Sequence, residues 1–119
     1  MKSFAAAALL ASSTFAADVK LIIDSDAGFD VDNIHAVAVA HNLEKQGKVD
    51  ILATISSTAF RKSIAAINVI NTYYGRSDIP LGAYKGLFGW DYGGQDTYAT
   101  DLVNNFPNNG IKDRDDVPE

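Results

Sequence analysis

The chain has 119 residues, 47% of them hydrophobic and none a cysteine, and carries a formal net charge of −5. That length and apolar content suffice for one small packed domain. The acidic balance offers no electrostatic footprint for nucleic acid or an anionic membrane, and without cysteine there is no disulfide framework, thiolate metal site or thiol nucleophile.

The first residues have the order of an export signal: Lys2, an apolar stretch from Phe4 to Ala11, then the small-residue region Thr14-Phe15-Ala16-Ala17. The apolar run is too short to span a bilayer. We therefore expect a signal peptide over 1–17, cleaved near Ala16 or Ala17, and a secreted chain from residue 18 to 119. The alternative is an alanine-rich helix belonging to the fold.

Asp18 to Asp24 reads D-V-K-L-I-I-D, a short β-branched and aliphatic run with the character of a buried strand. An acidic loop follows, and Asp32-Asn33 can then cap a helix. Its apolar positions Ile34, Val37, Ala38 and His41, with Ala36, Val39, Ala40 and Leu43, cover most of the circumference, so the helix should be largely covered by neighbours. Gly47 between Lys45 and Lys48 marks its exit. Val49 to Ser57 supplies a second strand, Arg61 to Tyr74 a second helix stopped by Gly75, and Leu81 to Tyr84 a short third strand introduced by Pro80. Gly86 to Gly94, with Phe88, Trp90 and Tyr92, reads as a loop. Thr97 to Phe106 reads as a third helix, and 107–119 as a mobile polar tail without a periodic apolar face. Alternating strands and helices with short connections predict an α/β fold, a Rossmann-like parallel sheet with flanking helices in the order βαβαβα. Three strands would leave an edge that natural sheets normally cover or continue.

The chemistry concentrates in Asp24-Ser25-Asp26-Ala27-Gly28-Phe29-Asp30-Val31-Asp32-Asn33, where four carboxylates fall within nine residues. Like charges repel and lose solvation on burial, so a cation or a shared proton is the natural compensation. Hard oxygen donors suit Ca²⁺, or Mg²⁺ as the alternative, better than zinc. The loop is not an EF-hand: counted from Asp24, glycine stands fifth instead of sixth, and the twelfth residue is His35 instead of glutamate. Gly28 is expected to let the backbone turn tightly so that the aspartates face one point. The loop leaves the first strand at its carboxyl end, where open α/β sheets bind ligands. His35 and His41 are six apart, on different helix faces, and read as structural or surface residues. Ser56, Ser57 and Thr58 read as turn chemistry, and Phe88, Trp90 and Tyr92 as anchors of their loop.

The run L-I-I-D-S-D-A-G-F-D-V-D-N-I-H-A-V-A-V-A-H, with I-L-A-T-I-S-S-T and I-N-T-Y-Y-G-R-S-D-I-P-L-G-A-Y-K-G, resembles the N-terminal third of the inosine-uridine preferring nucleoside hydrolase family, from Leu21 to Pro107. The resemblance implies hydrolysis of the N-glycosidic bond of a ribonucleoside to base and ribose, with bound Ca²⁺. On it, Asp26 would be the catalytic base and a calcium ligand. Asp30 and Asp32 would bind ribose hydroxyls and the metal, Asn33 would be a further metal ligand, and Asp24 and Gly28 would support the cluster. Asn33 stands where a second aspartate is usual, and the turn Ser57-Thr58-Ala59-Phe60 lacks the family's ribose-contacting asparagine. Family members run to roughly three hundred residues, a common size for a large single α/β domain. The chain is therefore expected to be a fragment with little or no activity alone. A homo-oligomer is compatible with the resemblance.

Two other functions fit the same residues. A haloacid-dehalogenase-like phosphohydrolase would use Asp24 as nucleophile, Asp26 as acid/base and Mg²⁺ as cofactor, leaving Asp30 and Asp32 without a role. A secreted non-catalytic protein would keep calcium or ribose affinity without turnover.

Overall fold

The computed structural model describes residues 19–86 and 97–119. The expected signal peptide and most of the glycine-rich loop, including Phe88, Trp90 and Tyr92, lie outside the described residues. The elements follow in the order β1 (Val19–Ser25), α1 (Asp32–Lys45), β2 (Val49–Ser56), α2 (Ser63–Tyr73), β3 (Leu81–Ala83) and α3 (Tyr98–Asn105), with a 3₁₀ turn at Arg114–Asp116. The strands form one parallel sheet in the order β1-β2-β3. The fold is α/β and Rossmann-like, as the alternation of elements predicts. Among the described residues no helix is long and apolar enough to cross a membrane.

Two crossovers that step the same way along a sheet bring both helices to one side. That side carries the core. Val37 of α1 and Ile64 and Ile67 of α2 pack with Ala27, Ile23, Leu81 and Ala83, while Ala40 joins Ile51, Ile79 and Leu21. The third helix lies outside α2, where Ala99 and Val103 meet Ala65, Ala66 and Phe60. Gly47 and Gly75 follow α1 and α2 at positive φ, 71° and 78°, the left-handed conformation that ends a helix at no side-chain cost.

Several expectations need correction. The first strand is not a buried one: among the described residues it stands at the end of the sheet, with Lys20, Ile22 and Asp24 exposed on the side away from the helices. A short apolar run does not distinguish a central strand from an edge strand. Nor is α1 largely covered, since it buries only Val37, Ala40 and His41 and leaves Val39 57% exposed. A three-stranded sheet offers it only one stripe to cover. Its cap residue is Val31 without a side-chain cap bond, and Asp32 begins the helix proper.

The segment from 107 to 119, which lacks apolar periodicity, is docked rather than loose. Asn68 of α2 donates to the Asn108 carbonyl at 2.7 Å, and Asn108 donates to the Val103 carbonyl at 2.8 Å. Arg61 pairs with Asp113 at 2.8 Å and also with Asp115. Val117 is buried in the core, with Ile111 packed against it. The Ala83 N–H donates to the Pro118 carbonyl at 2.9 Å, which covers the outer edge of β3. Two apolar anchors six residues apart are too sparse for a helical or strand pattern, and the remaining attachments are long-range polar contacts.

Candidate functional site

The loop between β1 and α1 opens at the carboxyl end of the sheet. Asp24, Asp26, Asp30 and Asp32 are all exposed, whereas Ala27 and Gly28 are buried beneath them. Neutral small residues anchor the loop, and the carboxylates remain in water, where their charge costs least. The Asn33 side-chain amide donates to Asp26 Oδ1 at 3.0 Å, and the Asn33 N–H donates to Asp32 Oδ1 at 2.9 Å. Asn33 therefore joins two of the aspartates, one through its side chain and one through its backbone.

Tyr98, at the start of α3, holds the loop from seventy residues away. Its hydroxyl accepts the Gly28 N–H at 3.0 Å and donates to the Asp30 carbonyl at 2.9 Å. One phenol thus fixes the backbone on both sides of Phe29. Burial raises the Tyr98 pKa; the Gly28 hydrogen bond opposes this, and the nearby charges of Asp32, Asp26 and Asp30 reinforce it. The hydroxyl is therefore held in its neutral, donating form. Sequence spacing carries no signal for this contact, because it joins two segments that are local to nothing in common.

Gly28 has a different role from the one expected. It is not among the residues at positive φ, so turn strain does not require glycine there. A Cβ at this position would instead lie 2.6 Å from Phe60 Cδ1, and the backbone needs that space to pass over the buried ring. Close approach, not dihedral freedom, selects glycine.

The carboxylates do not converge. Among the described residues no group of three or more His, Asp or Glu side chains is arranged to hold a metal ion. Asn33, expected as a ligand, turns its amide nitrogen rather than its oxygen toward Asp26. In this arrangement the loop is an exposed acidic surface.

Several hydroxyl-bearing residues lie behind the loop. Ser25 and Ser56 face each other in register at the ends of β1 and β2, both buried, and among the described residues neither Oγ has a hydrogen-bond partner. The Thr58 hydroxyl accepts the Phe60 N–H at 3.2 Å, and the Ser57 N–H donates to the Ser25 carbonyl at 3.1 Å. His35 is exposed, while His41 is buried, 4.7 Å from Tyr74 in a parallel stack and 2.8 Å from Asn71 Oδ1. Asn71 in turn donates to the Thr54 hydroxyl at 3.1 Å, so that His41 belongs to a buried polar chain behind the sheet and not to the loop. No family model matches the chain, and no curated protein or solved structure does either.

Proposed function

We propose that the loop from Asp24 to Asn33 is a ribonucleoside-binding site whose chemistry is hydrolysis of the N-glycosidic bond, with Asp26 as the residue that activates water. The observation that carries this is the exposure of four carboxylates at the carboxyl end of β1, the ligand-binding edge of an open α/β sheet, where none of them has a packing role. The resemblance of the same segment to nucleoside hydrolases supports it. With one oxygen held by Asn33, Asp26 presents its other oxygen as a proton acceptor, and Asn33 orients the base. Asp30 and Asp32 are the candidates for accepting hydrogen bonds from vicinal ribose hydroxyls. Negative charge beside the sugar favours an oxocarbenium-like transition state. Ca²⁺, or Mg²⁺ in its place, belongs to the proposal through the resemblance and the carboxylate chemistry.

The test combines release of base from inosine or uridine by the purified chain with calorimetry of Ca²⁺ and of ribose. Expected are cation and ribose binding, and any Ca²⁺-dependent release falling about 10²- to 10⁴-fold in Asp26→Asn. Binding without release identifies a binding protein. Absence of both refutes the proposal.

A further inference from the structure

The aspartates of the loop are held in different ways. The Asp26 carboxylate accepts the Asn33 side-chain amide at 3.0 Å, and the Asp32 carboxylate accepts the Asn33 N–H at 2.9 Å where α1 begins. Both tethers are local to the loop and its helix. Among the described residues no hydrogen bond reaches the Asp30 carboxylate. What is fixed at Asp30 is its backbone, whose carbonyl accepts the Tyr98 hydroxyl at 2.9 Å.

That backbone bond aims the side chain. The plane of a carbonyl fixes one of the two soft dihedrals of its residue, and with it the direction of the Cα–Cβ bond relative to the following chain. The same hydroxyl accepts the Gly28 N–H at 3.0 Å, so the segment from Gly28 to Asp30 is pinned at both ends to one oxygen. The oxygen is itself well anchored. Thr97 caps α3 by accepting the Thr100 N–H at 3.5 Å, and Ala99 and Val103 dock the helix on Ala65, Ala66 and Phe60. Phe60 is also the ring beneath Gly28, so the loop and the helix that braces it rest on one buried side chain. A binding group carried on a loop is precise only where a rigid element supports it, and for Asp30 that element is α3.

Precision at a carboxylate decides selectivity. An acceptor held in place is left unpaired when the sugar lacks the hydroxyl it meets, whereas one free to swing turns to water and discriminates little. We propose, resting on the ribonucleoside reading of the loop, that Tyr98 is the positioning residue for Asp30, and that this brace sets the preference of the site for a sugar bearing both vicinal hydroxyls. The Asn33–Asp26 pair stands outside this brace, so sugar selectivity and water activation are supported by different elements.

Calorimetric titration of inosine, 2′-deoxyinosine and 3′-deoxyinosine into the purified chain and its variants tests it, at a temperature where unfolding curves show each to be folded. The unaltered chain should prefer inosine. Tyr98→Phe should lower its preference over one of the deoxy compounds about tenfold, and Asp30→Asn should do the same. The double variant Tyr98→Phe/Asp30→Asn should lose no more than Asp30→Asn alone, because both changes act through one carboxylate. Asn71→Leu, which destabilises the fold from behind the sheet, should keep the preference and so separates positioning from stability. Inosine bound without preference by the unaltered chain, an unaltered preference in Tyr98→Phe, losses that add in the double variant, or an equal fall in Asn71→Leu would each overturn the brace and leave the ribonucleoside reading standing. Absence of inosine binding by the unaltered chain would overturn both.

Discussion

Replacing Tyr98 by Phe removes one oxygen and nothing else, yet that oxygen serves two backbone groups of the acidic loop. The Gly28 N–H loses its acceptor and the Asp30 carbonyl loses its donor. Gly28 is buried, so its N–H is left costly, whereas Asp30 is exposed and water can replace its partner. One orphaned buried donor and one exchanged bond together predict a loss of about 1–3 kcal/mol. Urea unfolding should show a lower midpoint with an unchanged slope. Amide exchange should accelerate at Gly28, while the amides within α2 keep their relative order of protection. The pH dependence supplies an independent check. The folded-state pKa of Tyr98 is raised, so its contribution to stability is complete below the unfolded phenol value of about 10 and is lost as pH rises through the folded value. Tyr98→Phe should lack that alkaline loss. Equal stability of the two proteins at neutral pH, with unchanged Gly28 exchange, would refute the role given to this hydroxyl.

Gly28→Ala should destabilise by about 1–3 kcal/mol through contact with Phe60, and Phe60→Leu in the same chain should recover part of that loss in a double-mutant cycle of unfolding free energies. Asn71→Leu leaves the ring N–H of His41 and the Thr54 hydroxyl without their partner in a fully buried place, and should cost about 2–4 kcal/mol by thermal or urea unfolding. Burial works against ionisation of Asp113, but the Asp115 N–H and the Arg61 guanidinium outweigh it and hold the carboxyl below its usual range. Its contribution is therefore present above the unfolded carboxylate value of about 3.9 and lost as pH falls through the lower folded value. Arg61→Gln should bring the Asp113 titration, followed by NMR, back toward the ordinary range and speed amide exchange over residues 111–117.

Local pattern along the chain was enough to read the elements and their order. Hydrophobic runs separated by glycines and short polar turns specified three strands and three helices in an alternating order, and that order implies a parallel sheet because of the handedness of crossovers. The acidic cluster was visible for the same reason: its residues are neighbours along the chain. Tertiary structure decided which strand lay at an edge, because burial of β1 depends on what stands beside it. It decided that 107–119 is held in place, because Asn68, Arg61 and Ala83 reach it across long stretches of chain. It also changed the meaning of two loop residues: Gly28 is small because Phe60 lies beneath it, and Asn33 faces Asp26 with its amide nitrogen. The brace from Tyr98 was beyond any local pattern. Local interactions are written in spacing, whereas a hydrogen bond between residues seventy positions apart exists only once packing has brought them together.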